Sequence, residues 1–391
     1  MSENKNEIVL QRIEKAIENI DKKTCHLYFF VSDCKNIPNS NTLYIYQLAA
    51  TLKEKGFNVV MLYQLNNEYG ENEYKKLKAQ KKPIDELRRF VGCKDWLSDE
   101  RFTSLEHLNI SKGTWQVSPS DFLFIPEVFS SLMKETFEKS LPCKRFVILQ
   151  NFRYVTEFIP YGDQWASYGI TDVIASNETQ AKLLRSVFPY VKTQILNPFI
   201  SEVFNTPLKA KKLIVNIATP KSADIEFIIK TFYWKYPALQ FVTFRTLRNL
   251  PVEDYAEMLK EGCITIWHDP YTSFGYSALD AIKCGNIVIG KVPEVVPEWM
   301  MENEELLNNG IWYSDINSVP DILAKVVGSW MRDEIPEELT EGMKETAQKY
   351  TFDKWSNDID TIFSKILEKR KEEFVSLKKI VENNSKKSEE K

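Results

Sequence analysis

The sequence predicts an α/β protein of two doubly wound, Rossmann-like lobes facing each other across a cleft and closed by a long C-terminal helix. Three observations carry this reading. Short apolar runs alternate with helical segments, and an apolar strand that returns through a helix to another apolar strand is the unit of a parallel sheet covered on both faces. Two such series occur, separated near Asn197 and Pro198. At 391 residues the chain exceeds one ordinary core and divides into two domains of about 150 to 200 residues.

Residues 1–23 place Ile8, Ile13, Ile17 and Ile20 at three-to-five-residue spacing, which predicts an amphipathic helix. The first lobe, 24–205, begins with an apolar strand at 27–31, a polar loop at 32–42, a helix ending at Gly56 and a strand at 58–63. Further strands follow at 122–125, 146–150 and 172–175. Between 68 and 108 the pattern is poor and charged. Its basic segment, 75–89, is either a solvated helix face or a patch for peripheral contact with an anionic membrane or a phosphate-bearing lipid. The second lobe, 206–345, repeats the series with strands at 213–217, 241–244, 264–267, 287–289 and 311–313. Residues 346–391 then carry Trp355, Ile359, Ile362, Phe363, Ile366, Phe374, Leu377 and Val381 at helical spacing, with a polar tail after Glu382 that is expected to fray.

Composition removes several function classes. A net charge of −4 supplies no basic field for phosphate backbones, so no nucleic-acid partner is expected. Six scattered cysteines without a C-x-x-C pair read as reduced thiols of a cytoplasmic protein. His26, His107 and His268 stand far apart, which leaves no local zinc signature and few bases for a Ser-His-Asp site. No apolar run approaches the roughly 18 residues that span a bilayer, so membrane contact is expected to be peripheral, on the inner face.

The stretch from 264 to 298 carries the chemistry. After the strand come His268-Asp269-Pro270-Tyr271-Thr272-Ser273, then Phe274-Gly275 and a helix, then another strand and Pro293-Glu294. Gly275 lets the backbone approach a ligand, and the first turn from Tyr276 through Ser277 to Ala278 is expected to present unpaired N–H groups at the positive end of the helix dipole. Such a helix start suits a diphosphate, and Asp280, about one turn further on, suits the paired hydroxyls of a ribose.

In these residues the chain resembles the retaining GT-B glycosyltransferase family, whose members include bacterial surface-polysaccharide transferases. Its loop, E-G-F-G-x-x-x-x-E-A-x-x-x-G followed by a strand and P-E, is matched by Phe274, Gly275, Ala281, Gly285, Pro293 and Glu294. Asp280 stands for the second glutamate, and Thr272 replaces the first, with Asp269 or His268 as neighbouring substitutes. The resemblance implies that Lys221, after the first strand of the second lobe, neutralises the donor diphosphate; the accompanying arginine is missing. Arg245 and Arg248 either supply that charge, frame the nucleobase or are surface arginines. Acceptor-side candidates are Asn39, Ser40 and Asn41 in the first loop, and Asn151 and Arg153 after the strand at 146–150, where a helix cap is the alternative. The implied reaction moves a hexose from a UDP- or GDP-sugar to a glycan or lipid-linked hydroxyl, with retention and without a metal. The alternatives are a nucleotide-sugar-binding or scaffold protein without turnover, and a sugar-nucleotide 2-epimerase.

Overall fold

The computed structural model describes residues 2–31, 40–63, 100–110, 115–205, 210–219, 223–248 and 250–389. The seven strands of the first lobe are β1 (His26–Val31), β2 (Asn58–Tyr63), β3 (Glu106–Asn109), β4 (Phe122–Pro126), β5 (Lys144–Leu149), β6 (Asp172–Ala175) and β7 (Lys192–Ile195). They form one sheet in the order β3-β2-β1-β4-β5-β6-β7, every neighbouring pair parallel. Central β4 is buried at every position, as a strand covered on both faces must be. Edge strands β3 and β7 were not expected, because Glu-His-Leu-Asn and Lys-Thr-Gln-Ile lack the apolar run that marks a central strand. Besides a single turn at Glu100–Thr103, the described α-helices of this lobe are α1 (Ser2–Glu18), α2 (Ser40–Glu54), α3 (Ser130–Glu138), α4 (Phe152–Phe158) and α5 (Glu178–Val187).

In the second lobe, β8 (Lys212–Ile217), β9 (Thr243–Thr246), β10 (Gly262–Trp267), β11 (Ile287–Lys291) and β14 (Ile311–Tyr313) pair in parallel in the order β14-β11-β10-β8-β9. A small hairpin, β12 (Met301–Glu302) with β13 (Glu305–Leu306), stands apart. The strand expected at 241–244 starts two residues later: Phe241 is 56% exposed, and pairing with β8 begins at Thr243. Apolar character misled there because the residue sits on a turn. The helices are α6 (Ala223–Lys235), α7 (Val252–Glu261), α8 (Tyr276–Lys283), α9 (Val319–Met331), α10 (Glu337–Lys349) and α11 (Phe352–Glu389).

The last helix does not stay with the second lobe. Trp355, Ile359, Phe363, Ile366, Leu367 and Phe374 enter the core of the first lobe, beside Ile13 and Ala16 of α1 and Ile20 just beyond it. Phe363 lies 5.4 Å from the Phe124 ring and 6.4 Å from Phe29. At the amino ends of β5 and β6, Lys144 bridges Asp172 at 2.9 Å and Glu373 at 3.3 Å, and Lys369 reaches Asp172 at 3.3 Å. The tail past Glu382 is helical rather than frayed, since α1 runs antiparallel to it: Asn6 donates to the Ser385 hydroxyl at 3.1 Å and Lys378 pairs with Glu14 at 2.7 Å.

The chain thus crosses between lobes twice, and the crossings are tied together by the Ile200 N–H donating to the Tyr350 carbonyl at 2.9 Å. Lys283 of α8 adds bonds to the Ile200 carbonyl at 3.0 Å and to Glu202 at 2.8 Å. Cys25, Cys143, Cys263 and Cys284 are buried free thiols. The basic segment 75–89 lies outside the described residues, and among the described residues no helix is long and apolar enough to cross a membrane.

Because Phe363 is 1% exposed and packs on rings from β1 and β4, Phe363→Ala is expected to cost about 3–5 kcal/mol, read as a lowered denaturation midpoint of the first lobe.

Candidate functional site

In an open parallel sheet the ligand crevice lies above the carboxyl ends of the strands, where the strand order reverses. That point falls between β8 and β10 in the second lobe and between β1 and β4 in the first. The loop 268–275 leaves β10 at one of these points, and Glu127 follows β4 at the other.

Gly275 is the N-cap of α8 with φ +79°, a left-handed conformation that side chains disfavour. Space excludes a side chain as well: a Cβ would lie 3.0 Å from the Trp299 ring and 3.1 Å from the Trp267 ring. Both indoles are buried, and Trp299 donates its N–H to the Phe274 carbonyl at 2.5 Å. Phe274 packs edge-on against Tyr276 and Tyr350, each at 5.2 Å. Thr272, where the resembled loop carries glutamate, accepts the Gly275 N–H on its hydroxyl at 3.0 Å and closes the turn.

Three free N–H groups were expected at the start of α8, and two remain. The Ala278 N–H turns back onto the Gly275 carbonyl at 3.1 Å, which leaves those of Tyr276 and Ser277. Asp280, one turn further on, is half-buried and accepts no hydrogen bond from the described residues. Burial pushes its carboxyl well above the usual range, against the opposing pull of Lys283.

The other candidates separate into those at the crevice and those held elsewhere. Arg248 reaches the crevice, donating its Nε–H to the Thr219 carbonyl at 3.2 Å, while the Thr219 hydroxyl donates to the His268 carbonyl. The guanidinium of Arg245 is spent on Asn216 at 3.0 Å, Glu261 at 2.5 Å and the Met258 carbonyl, all away from the loop 268–275. His268 has both ring nitrogens engaged, Nδ1 at 2.8 Å from the Tyr313 hydroxyl and Nε2 at 3.0 Å from Asp224 in the first turn of α6. Asp269 accepts the Tyr271 N–H at 3.3 Å, and burial raises its carboxyl. Lys221 and Asn39 lie outside the described residues, as does the side chain of Ser40.

Residues of the first lobe reach directly onto this loop. Asn151, the N-cap of α4, accepts the Arg153 N–H at 3.0 Å and donates its amide to the Tyr271 carbonyl at 3.1 Å. Arg153 stacks over the Tyr271 ring at 3.9 Å and lies 3.6 Å from Glu294. Asn177, the buried N-cap of α5, donates to the Ser273 carbonyl at 3.1 Å. In return Glu298 of the second lobe accepts from the Glu178 N–H and the Thr179 hydroxyl, both at 3.4 Å, and places a carboxylate at the positive end of α5. Of the five acceptor-side candidates, Asn151 and Arg153 therefore contact the loop of the opposite lobe, whereas the Asn41 carbonyl accepts from Gln150 at 3.1 Å.

Glu127, Asn177 and Glu298 did not emerge from the sequence. Glu127 is 1% exposed, and one carboxylate oxygen accepts the Gln150 N–H at 3.2 Å and the Asn151 N–H at 2.8 Å. Burial pushes its carboxyl up to about 7, against the lowering effect of these N–H groups. Tyr154 of α4 lies in the field of Glu127, Glu157 and Asp269 and is raised as well, mainly by burial. The available signal for Glu127 was a carboxylate immediately following a wholly apolar strand.

No family model matches the chain, and no curated protein matches it in sequence. Solved structures do resemble it. Pneumococcal O-GlcNAc transferase GtfA, in complex with UDP and GlcNAc, is 11% identical with a TM-score of 0.56, covering 88% of this chain and 99% of its own. Sucrose-phosphate synthase from Thermosynechococcus elongatus is 11% identical with a TM-score of 0.55 over the same shares. The catalytic domain of starch synthase IV from Arabidopsis thaliana, bound to ADP and acarbose, is 10% identical with a TM-score of 0.51, again covering 88% and 99%. The fold is that of the GT-B glycosyltransferases, with two parallel-sheet lobes and a long C-terminal helix.

Gly275→Ala is expected to destabilise the second lobe by about 1–3 kcal/mol in a denaturant titration, from left-handed strain and contact with the two indoles. Glu127→Gln tests the buried carboxyl. Since Glu127 holds its proton up to about pH 7 when folded but releases it near 4.5 when unfolded, its contribution to stability falls as pH rises through that window. The glutamine protein is therefore expected to gain on wild type from pH 5 to pH 8, by on the order of 2 kcal/mol in thermal melts. A constant difference across that range removes the assignment.

Proposed function

We propose that this protein is a glycosyltransferase that moves a sugar from a UDP- or GDP-sugar to a hydroxyl of a glycan or lipid-linked acceptor in bacterial polysaccharide synthesis, with retention at the anomeric carbon. The observation that supports the reading is the left-handed Gly275 turn at the start of α8, after which the Tyr276 and Ser277 N–H groups carry no hydrogen bond among the described residues. On this reading those groups and Arg248 hold the diphosphate, with Lys221 stabilising the leaving group. Asp280, lacking a protein hydrogen-bond donor among the described residues, takes the ribose hydroxyls. No metal is assigned a role. The acceptor enters from the first lobe between α2 and α4, and segment 75–89 gives peripheral contact with the inner face of a membrane. Two of the similar structures hold UDP and ADP, which fits a nucleotide in this crevice.

One observation favours a second reading. Thr272 brings no carboxylate to the loop and has its hydroxyl committed to Gly275, as in a nucleotide-sugar-binding or scaffold protein without turnover.

Incubating the protein with a panel of UDP- and GDP-sugars and acceptor extracts separates the two. Donor consumption supports transfer, thermal stabilisation by nucleotide without consumption supports the scaffold, and no binding at all rejects both. Lys221→Ala is expected to lower turnover about 100-fold while leaving the melting temperature unchanged, and normal turnover takes that lysine out of the site. Asp280→Asn is expected to weaken nucleotide binding about tenfold in calorimetry.

A further inference from the structure

We propose that Glu127 is a positioning residue whose buried carboxyl group fixes the turn between β5 and α4 and, through Asn151, holds the loop 268–275 in its binding-competent form. The inference rests on the reading of that loop as the nucleotide-sugar site.

The turn has few free degrees of freedom left. One oxygen of Glu127 collects the N–H groups of Gln150 and Asn151, the last strand residue's successors. Once pinned, the two side chains diverge. Gln150 donates to the Asn41 carbonyl at 3.1 Å, in the first turn of α2, while Asn151 donates to the Tyr271 carbonyl at 3.1 Å. The side-chain oxygen of Asn151 is already committed to the Arg153 N–H, so its amide has a single orientation available. The Ser176 hydroxyl donates to the Gln150 carbonyl at 3.2 Å and closes the turn from β6. A single acceptor atom therefore aligns the start of α2, on the acceptor side, with the loop of the opposite lobe. Nothing about strand pairing requires this atom, because β4 and β5 are held by their own ladder up to Pro126 and Ile148. Glu127 instead occupies the position where the first sheet reverses its order, the place at which such sheets put their functional groups.

The experiment compares wild type, Glu127→Gln, Glu127→Leu and Asn151→Ala as full chains, by amide hydrogen exchange and by UDP and GDP titration. Glutamine keeps an acceptor oxygen and is expected to preserve both protection of the Thr272 and Gly275 amides and nucleotide affinity within about twofold of wild type. Leucine and Asn151→Ala are each expected to speed exchange of those two amides and weaken nucleotide binding by about tenfold, with protection of β4 and β5 unchanged. Wild-type loop protection in Asn151→Ala overturns the proposal, even if Glu127→Leu fails to fold. Loss in the glutamine protein equal to that in the leucine protein also overturns it. If wild type binds neither nucleotide, the donor-site reading fails, and the exchange comparison still decides whether Glu127 positions the loop.

Discussion

The geometry of the crevice depends on one position that has no room for a side chain. Gly275 must turn left-handed while its Cα lies against the Trp267 and Trp299 rings, and no other residue type meets both demands without strain. The indoles are fixed in turn: Trp267 ends the fully buried β10, and Trp299 is bonded to the Phe274 carbonyl. The loop therefore leaves the sheet with little freedom before α8 begins at Tyr276. Thr272 belongs to the same constraint, since its hydroxyl accepts the Gly275 N–H.

The two lobes are coupled at both ends of the interface. At one end, the crossing segments near Ile200 and Tyr350 are bonded to each other and to Lys283 of α8. At the other, Asn151 and Asn177 cap carbonyls of the loop while Glu298 caps the N-terminus of α5. Helix α11 is seated in the first lobe's core. A change in the loop is consequently felt at the helix starts of the opposite lobe, where short side chains make directed bonds that tolerate little displacement.

Electrostatically the crevice is richer in strained carboxyls than in cations. Burial raises Glu127, Asp269, Asp280 and Glu298 together, all within the carboxyl ends of the strands or the segments that face them. Among the described residues, Arg153 is committed to Tyr271 and Glu294, and Arg248 engages the Thr219 carbonyl through its Nε alone.

Sequence by itself determined the architecture and the loop. Apolar runs long enough to cross a buried sheet, and a glycine between an apolar residue and a helix, are local signals, and both lobes and the Gly275 turn follow from them. Local signals also account for what was misplaced or missed: the start of β9, where Phe241 is apolar but exposed, and the polar edge strands β3 and β7. Only the tertiary structure decided which polar residues meet. Asn151 and Tyr271 are 120 positions apart, as are Glu178 and Glu298, and Asn177 and Ser273 are 96 apart. Glu127 acquires its role from burial and from two N–H groups supplied by the neighbouring strand's end. Those contacts are set by how two sheets face each other, and periodicity along one chain holds no record of that distance.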